Sequence, residues 1–449
     1  MIIVTPYFIY LCRMTEITTS QDKILAKLGI GKLKPMQEEA LLAIENKSDI
    51  VLLSPTGSGK TLAFLLPIIS QLDPVCKEIQ VLILVPSREL AMQVEQVVRS
   101  MGTGFKANAV YGGRAGAEDK KDLKHLPAIL IGTPGRIADR MRRDKFSLRS
   151  IHTLVLDEFD KSLEIGFKDD MSEIIDALRH LKKRILTSAT QRIEIPDFVG
   201  LNEPHTIDYS EEGVAQLSMK LVLSEAKDKL DTLVETLSHI GNQPGIIFCN
   251  FRDSIERVSE FLEVHGISHD CFHGGMEQKD REQALIKFRN GTHQILVATD
   301  LAARGLDIPE LKFIIHYHLP IKEHEFIHRN GRTARMDKAG TAYILKWEEE
   351  ELPAFIHDID YEKLKEAPIP KASSWRTLHI TAGRRDKISK GDIAGFIFKK
   401  ADLNKEDVGI IEIKPESSYV AVKSSKVNRI IKALNNEKLK KKKVRVSQL

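Results

Sequence analysis

Between residues 20 and 210, short apolar and β-branched runs alternate with longer stretches of helical period. DIVLLS (49–54), VLILVP (81–86), AILIGT (128–133), TLVLDE (153–158) and RILTSAT (184–190) are apolar at consecutive positions, not at every second one. Strands buried on both faces read this way, so the pattern predicts a parallel sheet with helices on each side. LNEPHTIDYSEEG (201–213) reads as a linker, and the pattern then restarts with GIIFCN, SHDCFH, QILVATD, KFIIHYHL and TAYILKW. Two similar α/β domains in tandem are expected. The charged, proline-containing YEKLKEAPIPKASS (361–374) marks a second boundary. Beyond it the order changes. TLHITAG is a predicted strand, GDIAGFIFKKA a helix, VGIIEIKP and SYVAVKS a strand pair, SKVNRIIKALNN a helix and KKVRVSQL a last strand. That βαββαβ order predicts a small RRM-like α+β sandwich.

Length changes little in this picture: 449 residues suit two or three domains. With 42% hydrophobic and 29% charged residues the chain is globular and not disordered. The opening MIIVTPYFIYLC is apolar, but it has no basic leader or small-residue cleavage site and is too short to span a bilayer. Residues 1–13 are expected to be a mis-started or disordered segment, with translation beginning at Met14. The boundaries that follow are 14–209 for the first domain, 214–366 for the second, 367–374 for a linker and 375–449 for the tail. Cys12, Cys76, Cys249 and Cys271 are scattered without zinc-ligand spacing, as in a cytoplasmic protein with reduced thiols.

Charge does change the picture. The net +4 hides an asymmetry, because residues 375–449 carry 19 Lys/Arg against 8 Asp/Glu. The tail is thus about +11 and the rest about −7, which points to a polyanion-binding appendage.

The strongest chemical motif is SPTGSGKT (54–61), between the strand DIVLLS and the helical LAFLLPIISQL. Gly57 and Gly59 allow backbone N–H groups to turn toward phosphate oxygens, with Thr56 and Ser58 completing the loop. Lys60 can reach the terminal phosphates and Thr61 can ligate Mg²⁺. A second apolar strand ends in Asp157-Glu158. Beside a phosphate loop, Asp157 becomes the carboxylate that faces Mg²⁺, and Glu158 the group that orients the attacking water.

With these motifs the chain resembles the DEAD-box RNA helicases over nearly everything after residue 25. DEFD (157–160) stands where that family has DEAD, and PSREL (86–90) resembles its PTREL. TPGR (133–136), SAT (188–190) and ATDLAARGLDIP (298–309) are intact, while HRNGRTAR (328–335) resembles HRxGRTGR. The resemblance implies two tandem RecA-like domains, ATP and Mg²⁺ as cofactors, and RNA as partner. Arg332 and Arg335 would be arginine fingers, His328 would bridge their loop to the Asp-Glu strand, and Asp307 would accept from the ribose hydroxyls. Ser188 and Thr190 would link the nucleotide site to Asp160 and to domain closure. Gln37 and Pro35 would belong to the adenine-reading segment. Arg88, Gly113, Thr133, Arg136, Arg281 and Thr299 would touch the backbone of single-stranded RNA, making the core indifferent to base sequence.

Several positions depart from the family pattern. Phe159 replaces a small Ala, Ala334 a Gly and Ser87 a Thr; Ile30 stands where an aromatic often stacks on adenine, and Lys34 where Thr is usual. The tail resembles the RNA-binding domain of the DbpA subfamily. Its central strands offer only Tyr419 and His379 for base stacking, so Arg384, Arg385, Lys387 and Lys390, with Lys440 to Lys443, are the expected phosphate-reading surface. The resemblance implies a monomeric, cytoplasmic, RNA-stimulated ATPase and helicase that unwinds short duplexes. Its expected targets are large-subunit ribosomal RNA and pre-ribosomal particles, with no membrane partner. The alternatives are a translocating DNA helicase, and an ATP-gated RNA clamp or RNA-binding scaffold without productive unwinding.

Overall fold

The computed structural model describes residues 21–55, 57–113, 125–143, 147–189, 194–210, 217–300, 311–333, 339–357 and 359–449. The expected mis-start segment and Met14 lie outside them. The chain divides into two compact units near residue 214.

The first unit is built on β1 (Asp49–Leu53), β2 (Val81–Leu84), β3 (Ala107–Val110), β4 (Ile129–Gly132), β5 (Thr153–Leu156), β6 (Lys183–Ser188) and β7 (His205–Asp208). They form one sheet in the order β3-β4-β2-β5-β6-β1-β7, and every pairing is parallel. Each strand from β1 to β4 is buried along its whole length, which is why the runs of β2, β4 and β1 beyond Asp49 are continuously apolar, while β3 buries the polar Asn108. β7 falls inside the stretch read as a linker. It carries one inward residue, Ile207, and pairs along the sheet edge with β1, so its apolar signal is too short to register.

Helices cover both faces: α1 (Pro35–Asn46), α2 (Lys60–Ser70), α3 (Arg88–Met101), α4 (Pro134–Arg143), α5 (Phe159–Glu164) and α6 (Lys168–Ala177). Phe159 is fully buried in a cluster with Leu130, Ile137, Met171 and Ile174. The ring that stands in place of a small residue therefore fills core volume behind α5 and leaves the carboxylate side untouched.

The second unit repeats the plan and extends it. Its large sheet has β8 (Leu217–Ser224), β9 (Gly245–Phe248), β10 (His269–Phe272), β11 (Ile295–Ala298), β12 (Phe313–His316), β13 (Gly340–Trp347) and β14 (Asp360–Tyr361), in the order β10-β11-β9-β12-β13-β8-β14, again all parallel. Its helices are α7 (Leu230–Ile240), α8 (Arg252–Val264), α9 (Gln278–Arg289) and α10 (Glu323–Asn330). The tail follows the expected order: β15 (Trp375–Ile380), α11 (Lys390–Ala401), β16 (Val408–Ile413), β17 (Ser418–Lys423), α12 (Val427–Leu434) and β20 (Val446–Gln448). A hairpin of β18 (Lys438–Leu439) and β19 (Lys442–Lys443) precedes β20. Its antiparallel sheet runs β16-β17-β15-β20, and Leu378, Ile380, Val420, Val422 and Val446 point from one face into the core under α11 and α12.

Candidate active site and nucleic-acid interface

In a parallel α/β sheet the loops at the carboxyl ends of the strands hold the ligands. β1, β5 and β6 are consecutive partners on one side of the first sheet, and their carboxyl ends carry the phosphate loop, Asp157-Glu158 and Ser188. Two side chains at the start of α1 fasten the loop. Gln37 Nε2 donates to Gly59 O at 3.2 Å, and Lys34 Nζ donates to Ser58 O at 3.2 Å. At Gly59 (φ +100°) a Cβ would stand 2.4 Å from Gln37 Nε2, so only glycine fits. Ser54 N donates to Ser188 O at 3.1 Å, which ties the loop to β6. Ile30, where the family often has an aromatic, packs against the core of this unit.

Lys60 is buried and its Nζ donates to the carbonyl oxygens of Ser54 and Pro55, the latter at 3.0 Å. Burial lowers its ammonium to about 8, offset in part by Glu158 and Asp157. Asp157 is pushed up to about 6, first by burial and then by Glu158, while the Thr187 hydroxyl opposes the shift by donating at 2.5 Å. Glu158 sits in the left-handed region at φ 48° as the residue before α5, with its N–H near both Asp157 Oδ1 (3.1 Å) and Thr187 Oγ1 (3.2 Å). Fully buried Lys161 lies 2.9 Å from the Glu158 carboxylate. Asp160 and Ser188 are buried in the same region. The result is three buried carboxylates and two buried ammonium groups side by side, a setting in which charge interactions are strong.

The other half of the same edge, at β3, β4 and β2, carries the residues expected to meet RNA. Arg88 opens α3, whose cap is Ser87; the Leu90 N–H donates to the Ser87 hydroxyl at 3.2 Å. Ser thus performs here the capping role that Thr would. The Arg88 guanidinium lies over Gly113 (φ +82°), where a Cβ would come within 2.4 Å of it. Thr133 is buried and its carbonyl accepts from Arg136 N at 3.0 Å, while Arg136 faces Asp139 at 3.6 Å.

In the second unit, Arg281 rises from the first turn of α9 with its guanidinium 4.9 Å from the Phe272 ring centroid. Thr299 N donates to Phe272 O at 3.4 Å, so the two expected RNA contacts adjoin one strand end. His328 and Arg332 are both buried. Between them Arg329, 1% exposed, donates to Asp300 (2.7 and 2.5 Å), Asn250 (2.7 Å) and His318 O (2.7 Å). Arg332 N donates back to Arg329 O at 3.0 Å. Burial, with Arg329 beside it, drops His316 to about 3, so it is a neutral partner for Asn330 at 3.0 Å.

The tail brings its basic loop and hairpin together. Arg384, Arg385, Lys387 and Lys390 are exposed. Lys440 Nζ reaches Lys387 O at 2.8 Å and Asp392 at 2.6 Å, and Lys442 reaches Asp386 at 2.7 Å. Arg385 pairs with Glu416, so part of this charge is already answered within the domain.

Comparison with known proteins assigns the three segments separately. Residues 34–198 match the DEAD/DEAH box helicase family, 228–337 the helicase conserved C-terminal domain and 377–448 the DbpA RNA binding domain. The ATP-dependent RNA helicase DbpA of Escherichia coli is 34% identical over 439 residues, spanning 95% of this chain and 96% of that protein. The chain belongs to the DbpA-type DEAD-box RNA helicases. The DbpA of Bacillus subtilis is 30% identical, over 96% and 98% of the two chains. Among solved structures, S. cerevisiae Dbp5 bound to RNA and ADP BeF3 superposes with a TM-score of 0.65 at 28% identity, covering 74% of this helicase and 88% of that chain.

The helicase is therefore an ATP-dependent, RNA-binding enzyme with two RecA-like domains and an RRM-like tail. Of the site residues named from sequence, Thr56, Thr190, Asp307 and Arg335 lie outside the described residues, as does Ala334. Arg329, Asp300 and Lys161 escaped the sequence reading. HRNGRTAR contained Arg329, but its value rests on partners up to 79 positions away. Among the described residues no helix is long and apolar enough to cross a membrane, and Cys76, Cys249 and Cys271 are free thiols.

Proposed function

We propose that this helicase couples ATP hydrolysis to local unwinding of short duplexes in large-subunit ribosomal RNA, as a cytoplasmic monomer acting on pre-ribosomal particles during bacterial ribosome assembly. The observation that carries the proposal is the tail: a folded basic module, matching the DbpA RNA binding domain, joined to a helicase core. In this reading Lys60 releases the Ser54 and Pro55 carbonyls to hold the terminal phosphates, and the N–H groups around Gly57, Ser58 and Gly59 cradle them, with Thr56 beside them. Gln37 and Pro35 flank the base, and Asp307 meets the ribose. Glu158 orients and deprotonates the attacking water. Arg332 and Arg335 stabilise charge on the transferred phosphoryl group, and His328 holds their loop.

The hard oxygen donors Asp157, at the carboxyl end of β5, and Thr61, in the first turn of α2, suit Mg²⁺. Bound there with ATP, the ion would neutralise charge building on the phosphates. Asp160, Ser188 and Thr190 carry the state of the nucleotide site to domain closure. Arg88, Gly113, Thr133, Arg136, Arg281 and Thr299 grip one RNA strand by its backbone.

Replacing Arg384 and Arg385 together by Ala in the full chain is expected to leave ATPase stimulation by excess generic RNA unchanged. It should erase the preference for ribosomal RNA at low concentration, because tethering sets the local concentration of the core's substrate. The slope of log affinity against log salt should shrink by about 1.5, as two phosphate contacts vanish. ATPase titrations with ribosomal RNA, the same RNA without its anchoring hairpin, and DNA check this. Equal stimulation by all three in the wild-type protein would sink the ribosomal reading, and strand-displacement assays on the same RNAs separate a helicase from a clamp.

A further inference from the structure

An ordinary RRM presents the outer face of its sheet to RNA. Here that face bears Thr377 and His379 from β15, Tyr419 and Ala421 from β17, and Glu412 from β16. These side chains point away from the tail's own core, yet Thr377 is 0% exposed, Ala421 2% and Tyr419 9%. The carboxyl end of α9 and the turn after it cover its Thr377 and Glu412 positions.

Arg289, the last residue of α9, donates to both Glu412 oxygens at 2.9 to 3.2 Å. Asn290 Nδ2 donates to Thr377 Oγ1 at 3.2 Å, and the Thr292 and Thr377 hydroxyls are hydrogen-bonded at 2.8 Å. Asn290 and Thr292 are themselves buried. Ser373 donates to Gly291 O, and Trp375 lies against Gly291. Burial works to raise Glu412, but Arg289 and Lys414 together hold it below the ordinary carboxylate range. Burial, joined by the charge of Lys279 on α9, lowers His379.

We propose that the outer sheet face of the tail is a docking face for the second RecA-like domain, latched by Arg289–Glu412 and the Thr377 hydroxyl, so that α9 joins the tail rigidly to the core's RNA grip. The helix has 12 residues, about 18 Å. Arg281 stands in its first turn, and the latch closes its last. RNA held on the tail's basic loop and hairpin is thereby presented at a fixed distance and bearing from Arg281 and Thr299, and no base stacks on His379 or Tyr419. This role as a fixed arm rests on the tail being the RNA anchor; the docking itself does not.

Two measurements on the full chain test it. Without RNA, Glu412→Arg should speed hydrogen exchange in residues 375–380 and 286–292 by about 10-fold, the scale of a lost half-buried ion pair. Adding Arg289→Glu should restore protection. Unchanged exchange in the single variant, or no rescue in the double, overturns the latch. With RNA, unwinding by the wild-type protein should depend sharply on the number of nucleotides between anchoring hairpin and duplex. Glu412→Arg should flatten that dependence without weakening hairpin affinity. A flat wild-type profile, or tighter hairpin binding once the face is freed, overturns the fixed arm. If instead the wild-type protein shows no preference for ribosomal RNA, the anchor reading fails while the exchange result still decides the docking.

Discussion

Glu158→Gln binds ATP about as wild type does and hydrolyses it about 10²–10⁴-fold more slowly, the range expected when a general base is lost. The geometry behind this expectation is a division of labour between neighbours. Asp157 is held by Thr187 and keeps its place whether or not residue 158 is charged. The Glu158 backbone is fixed by its own N–H bonds, so an amide there sits where the carboxylate did. What disappears is the capacity to take a proton. The buried Lys161 ammonium loses its counter-charge as well, so a modest drop in stability should accompany the lost turnover. Single-turnover hydrolysis alongside nucleotide-affinity and thermal-melt measurements checks both. Wild-type turnover in the variant would remove Glu158 from the chemistry.

Arg332→Ala should lower RNA-stimulated turnover by about 10³–10⁵-fold with little change in ATP affinity, as befits a finger that acts only in the transition state. The residue is 2% exposed, and its N–H is tied to Arg329, which Asp300, Asn250 and His318 hold in turn. Arg332 is therefore buried, with its backbone fixed to the end of α10. Steady-state kinetics with saturating RNA, set against equilibrium nucleotide binding, is the measurement. A loss of ATP affinity with normal turnover would make Arg332 a ground-state ligand.

Legibility from sequence followed how local each determinant was. β1, β2, β4, β5 and β6 were visible because a strand buried on both faces writes its burial into consecutive residues. β3 was missed because ANAV breaks its apolar run with Asn108, and β7 because an edge strand needs only Ile207 inside. Lys60, Asp157 and Glu158 could be read because the phosphate loop and the Asp-Glu strand end are contiguous motifs. The Arg329 network and the Arg289–Glu412 latch could not. Each depends on partners far along the chain, 123 positions in the second case, and no periodicity carries such information. The tail's sheet face reads as poor for stacking from its lack of aromatics. Nothing in its residues said that α9 would cover it.

The position of β1 in its sheet also has a consequence for the newborn protein. Its two neighbours, β6 and β7, begin at residues 183 and 205, while β1 ends at Leu53. During translation β1 must wait, unpaired on both edges, until some 130 further residues have brought β6, and its second edge waits for β7. β2, β4 and β5 can meet earlier, so a partial sheet without its phosphate loop precedes the complete one. Such an intermediate exposes apolar edge and is a natural client for chaperones. ATP cannot rescue it, since the loop that grips phosphate is fastened to Ser188. Ribosome-stalled chains should therefore gain nucleotide binding in one late step, once residues through β7 have emerged, and gradual acquisition across shorter chains would contradict this order.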